Sequence, residues 1–184
     1  MGVEFTISVD STKGQQKLSE IGKQLNPNKV LTLMGMDMLS WIDKNFKAGG
    51  LEVKWESLSP NTIAARRKKG KGAKILQDMG RLKSSFVFGK ENNIFTVSGN
   101  TVTVGSADKK VNWHQKGTRS YDIYPKTKKY LSFIYNGKKV YRKKVHHPGL
   151  AERPMLPSKH MASGIAKKSL EAYVDKVVAS VRGM

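Results

Sequence analysis

The sequence predicts a single α+β domain. Three observations carry this: amphipathic helical stripes toward both ends, two hairpin signals between them, and no compositional boundary that would divide 184 residues into two units. A chain of this length can bury one sizeable core. The expected architecture is an antiparallel sheet of hairpins, packed by a long helix of the N-terminal half and a C-terminal amphipathic helix.

Val3, Phe5, Ile7 and Val9 alternate with Glu4, Thr6 and Ser8, which predicts a first strand with one buried face. The same start matches the myristoylation pattern through Gly2 and Thr6, but a strand accounts for these residues better. Asp10 or Ser11 can cap a short helix with Leu18, Ile21 and Leu25 on one side, ended by Asn26-Pro27-Asn28. A second helix spans roughly 28–47, with Leu31, Met34, Met38, Trp41, Ile42 and Phe46 on one stripe, and Ala48-Gly49-Gly50 stops it. Met34, Met36 and Met38 read as core filling rather than as an adaptable binding surface.

Ser59 caps a third helix with Pro60 at its first position, where the missing N–H of proline is no loss. The helix carries Ile63, Ala64 and Ala65 and then exposes Arg66, Arg67, Lys68 and Lys69. Gly70-Lys71-Gly72 breaks it, so 66–74, ending in Lys74, reads as a mobile basic loop inserted within the one domain 1–184. Phe86 and Phe88 predict a short strand. Residues 94–98 and 101–105 form a hairpin across Gly99-Asn100, which sets Val97 opposite Val102 and Phe95 opposite Val104 on one face. A loop or short helix carries Val111, Trp113, His114, Gln115 and Gly117. A second hairpin, 130–141 around Asn136-Gly137, sets Phe133 opposite Val140. Lys126, Lys128, Lys129, Lys138, Lys139, Arg142, Lys143 and Lys144 flank it and make 124–145 a basic arm. Pro148, Pro154 and Pro157 mark an extended connector. The last helix begins near Ser158, with Leu170, Tyr173, Val174, Val177, Val178 and Val181 repeating at three and four.

Thirty-four basic against 14 acidic side chains leave a formal charge of +20, which favours a polyanionic neighbour over a merely lysine-solvated surface. Without cysteine there are no disulfides or thiolate metal sites, which fits a reducing cytosol. No apolar run reaches the roughly 18 residues of a spanning helix, and the start lacks the regions of a signal peptide, so no membrane association is expected. His114, His146, His147 and His160 lack metal-ligand spacing. No carboxylate pair, nucleophile frame or phosphate loop is present. Neither catalysis nor a cofactor or metal is therefore expected. The cations would meet phosphates without reading base sequence. Tyr121, Tyr124, Tyr130, Tyr135 and Tyr141, interleaved with them, read as strand formers more readily than as a platform for stacked bases.

Four strings, in order, give the chain a resemblance. They are 55–62 (WESLSPNT), followed by the basic helix; 75–85 (ILQDMGRLKSS); 113–118 (WHQKGT); and 152–156 (ERPML) before the last helix. Together they resemble the phage virion morphogenesis family, which includes tail-completion and neck proteins. The matching positions Trp55, Leu76, Gly80, Leu82, His114, Gln115, Gly117, Arg153 and Pro154 are candidate fold or interface residues. Met79 stands where a threonine is usual, and Lys116 where an aromatic is common. The resemblance implies a non-enzymatic virion protein, made in the host cytoplasm and forming a homo-oligomeric ring at the head–tail junction. Its implied neighbours are head-completion, portal or tail-terminator proteins, with double-stranded DNA contacted nonspecifically. Candidates for positions near DNA phosphates are Arg66, Arg67, Lys68, Lys69, Lys71 and Lys74 of the loop, and the eight arm cations. A tail terminator, and a free nonspecific nucleic-acid-binding protein, are the alternative readings.

Overall fold

A computed structural model describes residues 12–135 and 137–182. The strand expected at 3–9, its following cap at Asp10 or Ser11, and Asn136 of the second turn lie outside the described residues.

Helix α1 (Thr12–Gln24) leads into α2 (Pro27–Ala48). The Asn26 side chain accepts from the Lys29 N–H at 3.1 Å and Pro27 opens the helix, so the break between the helices is also the cap of the second. Gly49 closes α2 at φ 67°, a left-handed conformation that favours glycine. Ser59 caps α3 (Pro60–Lys68) as expected, accepting from the Thr62 N–H.

Where a strand is expected at Phe86 and Phe88, the chain instead makes a short helix α4 (Arg81–Ser84) and a run of turns. The Ser85 hydroxyl donates to Leu82 O at 2.8 Å, and Phe86 N–H donates to Lys83 O. These local bonds keep the backbone coiled, so an alternating pattern does not decide the burial. Phe86 enters the core, and Phe88 stays exposed, edge-on to Phe95 at 4.9 Å.

The first hairpin, β1 (Asn93–Ser98) and β2 (Thr101–Ser106), has the expected register, with Val97 opposite Val102 and Phe95 opposite Val104. Helix α5 (Lys110–Lys116) follows. The arm then begins with β3 (Tyr121–Ile123), continues through β4 (Leu131–Tyr135) and β5 (Lys138–Arg142), and closes with β6 (Val145–His147). Phe133 faces Val140 as expected. Among the described residues the strands form three separate two-stranded sheets rather than one, ordered β1-β2, β3-β6 and β4-β5. The first packs on α2, and so does the last helix, α6 (Lys159–Arg182).

Helix α2 therefore packs against both the hairpin and α6, and its buried side is broader than the sequence stripe. Val30 joins Tyr173 and Val177 of α6, with Ile21 and Met34 packed against them. Leu39, Ile42 and Phe46 join Trp55, Leu82, Phe86, Val111 and Met155 in the main core. Met36 is exposed, as is Leu170, each expected to face inward. Leu18 of α1 is also exposed.

Gly35 is the point where the hairpin meets α2. A Cβ there would lie 2.6 Å from the Phe95 ring and 2.8 Å from Val102 Cγ2. The stiff, β-branched Val102 cannot rotate away. Gly35→Val is expected to cost about 1–3 kcal/mol through overpacking, read as a lower urea midpoint.

Candidate functional site

The arm stands on a short ladder. Tyr121 pairs with His147, Asp122 with His146, and Ile123 with Val145. The turn signal at Asn136-Gly137 marks the hairpin but not this root, because β3 and β6 are three residues each and far apart in the chain. At the root Asp122 accepts from Lys144 Nζ at 2.8 Å, and His146 Nδ1 lies 3.0 Å from its second oxygen. These two hydrogen bonds, Lys144 first, hold the Asp122 carboxyl below the usual carboxylate range. The same pairing raises the Lys144 ammonium. A depressed carboxylate keeps its pairs above its unfolded pKa and loses them as pH falls through the folded one. The adjacent histidines diverge as a strand requires: His146 meets Asp122, while His147 stacks on Tyr121 at 4.9 Å.

From Tyr124 to Val145 the arm carries eight cations and no acid. Lys126, Lys128, Lys129, Lys138, Lys139, Arg142, Lys143 and Lys144 are all exposed. Lys129 lies over Tyr130, Lys139 over Tyr141 and Lys144 over Tyr124, at 5.5–5.9 Å. Only Lys144 of the eight is ion-paired among the described residues.

The basic loop is less free than its composition implies. Arg66 Nη1 donates to Lys74 O at 2.9 Å, and its Nε lies 3.8 Å from Asp78. Lys71 Nζ reaches the same carboxylate at 3.1 Å and, as the first cause, lowers its pKa. Arg66 and Lys71 thus brace the loop against 75–80, whereas Arg67, Lys68, Lys69 and Lys74 are exposed. Composition could not show this, because the brace is a single acid several residues downstream.

The four strings that carry the resemblance meet in space. His114 O accepts from Arg153 N–H at 2.7 Å. Gln115 Oε1 accepts from Met155 N–H at 2.8 Å and Leu156 N–H at 3.2 Å. Trp55 Nε1 donates to Pro154 O, and Arg153 donates to Glu56 O. Gln77 donates to Phe46 O, while Leu82 is buried in the core. Gly117 has φ 66°, and a Cβ would sit 2.6 Å from Leu150 O, so a side chain there would part α5 from the connector.

The same strings line a cleft of about 650 Å³. Glu56, Leu76, Gly80, His114 and Arg153 contribute to it, with Arg66 from the basic helix and His147 from the root of the arm. Leu76 holds a left-handed φ of 57°, an uncommon conformation for a leucine. His114 Nδ1 and Arg153 Nε are buried with no hydrogen-bond partner among the described residues. Burial, and then the Arg153 guanidinium, push the His114 imidazole below its ordinary pKa, so the ring is neutral at pH 7. Met79, Arg81, Lys110 and the exposed Trp113 extend this surface into an adjoining depression. In the sequence, Trp113, Met79 and Arg81 stand within the family strings without a role, and Lys110 carries no signal at all.

No helix of the described residues is long and apolar enough to cross a membrane. No curated protein and no solved structure matches the chain. The model of the phage virion morphogenesis family matches residues 9–181, covering all four strings, the basic loop and the arm, and the chain belongs to that family.

Proposed function

We propose that this protein is a structural, non-catalytic subunit that closes into a ring at the head–tail junction of a tailed phage, completing the tail or neck, with its basic arm toward the DNA channel. A virion morphogenesis role follows from the family; the arm is the observation that supports the rest. Among the described residues its strands pair mainly with one another, and its cations face solvent. A ring of identical subunits uses a head-to-tail interface, and free ribbon edges can add strands to a neighbour. Portal, head-completion and tail-terminator proteins are the proposed neighbours. Repeated around a ring, the arms would line the passage with mobile positive charge. Lysines suit that task, because they neutralise phosphates without the fixed bidentate grip of arginine that would hinder DNA passage.

Cryo-electron microscopy of intact virions tests the reading: rings at the junction are expected. A position in the tail shaft, or absence from particles, rejects it. Absence combined with salt-sensitive DNA binding by a monomer would select the free nucleic-acid-binding alternative, which net charge supports. Replacing Lys126, Lys128, Lys129, Lys138, Lys139 and Lys143 by glutamine should weaken duplex binding. The slope of log affinity against log salt should flatten by about 0.9 for each phosphate no longer neutralised. An unchanged slope would remove the arm from the DNA surface.

A further inference from the structure

We propose that the surface around Met79 and Trp113 docks an acidic segment of another protein, anchored by an apolar side chain. This rests on residues other than the arm cations and does not depend on the ring.

Met79 is 64% exposed and Trp113 53% exposed, and both line one depression with Arg81, Lys109 and Lys110. In the same strings, Trp55, Leu82 and Met155 are buried. A tryptophan and a methionine left in solvent beside an arginine have the composition of an interface centre. The depression runs into the cleft of about 650 Å³, because Met79, Gly80, Arg81 and Lys110 line both. The surface is also held in shape. Leu82 anchors the helix that carries Arg81, and the Gln115 and His114 bonds anchor the helix that carries Trp113. A preformed surface loses less freedom on binding.

Charge selects the occupant. Arg81, Lys109 and Lys110 have no ion-pair partner among the described residues. The depression itself holds the carboxylates Glu91 and Asp108, and Asp108 also accepts from the Lys110 N–H; Glu56 and Asp78 line the adjoining cleft, where Asp78 is engaged by Arg66 and Lys71. These three cations draw in an acidic partner, whereas a further copy of this chain, with 14 acidic against 34 basic side chains, has few acids to offer this surface. Duplex DNA meets the charge, but its base faces are stacked inside and only thymine methyls are apolar in its grooves, so it covers Met79 and Trp113 less well than an apolar side chain would.

The test is fluorescence anisotropy on the full chain with three labelled probes at about physiological salt. The probes are a short Asp/Glu-rich peptide with a central Leu-Phe, the same peptide with Gly-Ser at its centre, and a short DNA duplex. The Leu-Phe peptide should bind about tenfold tighter than its Gly-Ser analogue. Trp113→Ala, Met79→Ala and Arg81→Glu should each weaken it about five- to tenfold. Met79 and Arg81 are exposed, so their variants carry the test even if Trp113→Ala folds poorly by circular dichroism. Equal binding of the two peptides, or binding unchanged in the cleft variants, would overturn the proposal. So would loss of peptide binding in the arm-lysine variant, or a duplex affinity that falls with the cleft variants. A negative result here leaves the virion position to be decided by microscopy, so the two readings fail separately.

Discussion

Asn45→Ala is expected to remove about 2–5 kcal/mol of stability. Asn45 is 1% exposed and joins three parts of the chain. Its Nδ2 donates to Pro154 O at 3.0 Å and Met155 O at 3.2 Å, and its Oδ1 accepts from Leu51 N–H at 2.7 Å. Pro154 O keeps a second donor in Trp55 Nε1. Truncation therefore strands Met155 O and Leu51 N–H, each at about 1–3 kcal/mol. Against a typical total of about 5–15 kcal/mol, that loss is large. Urea denaturation should show a lower midpoint with an unchanged slope. Asn45→Asp should be at least as damaging, since it keeps the acceptor for Leu51 but sets a carboxylate against two carbonyls. A midpoint within error of the native protein for both would mean that these bonds do not hold the connector to α2.

Truncation before Leu170 should abolish a stable fold. It removes Tyr173, Val177 and Val181, all buried, and with them the bond from Asn26 N–H to the Tyr173 hydroxyl at 3.1 Å. Burying one such side chain contributes about 1.5–3 kcal/mol, so three approach the whole stability of a typical domain. Val30 and Ile21 would lose their cover, and α1 its packing against α6. The truncated chain should aggregate or bind a hydrophobic dye, and a phage encoding it should yield no infectious particles. A soluble truncated protein with native thermal unfolding would show that α6 is dispensable to the fold.

Sequence and tertiary structure divided this protein along a physical line. The Ser59 cap with Pro60, the end of α2 at Gly49 and the registers of Val97 with Val102 and Phe133 with Val140 all depend on neighbours a few residues away. Those features were legible, as was the cationic character of the arm. The family strings were legible too, but only as strings. Their purpose lies in the folded contacts, where Gln115 holds Met155 and Trp55 holds Pro154 across 40 and 99 residues. The broadened buried side of α2, the bracing of Arg66 by Asp78, the root of the arm at Asp122 and the surface shared by Met79 and Trp113 each require segments far apart in the chain. Periodicity reports which side of an element is apolar. It does not report how many neighbours that element has, or which charge will be paired, because those outcomes are set by packing between distant segments.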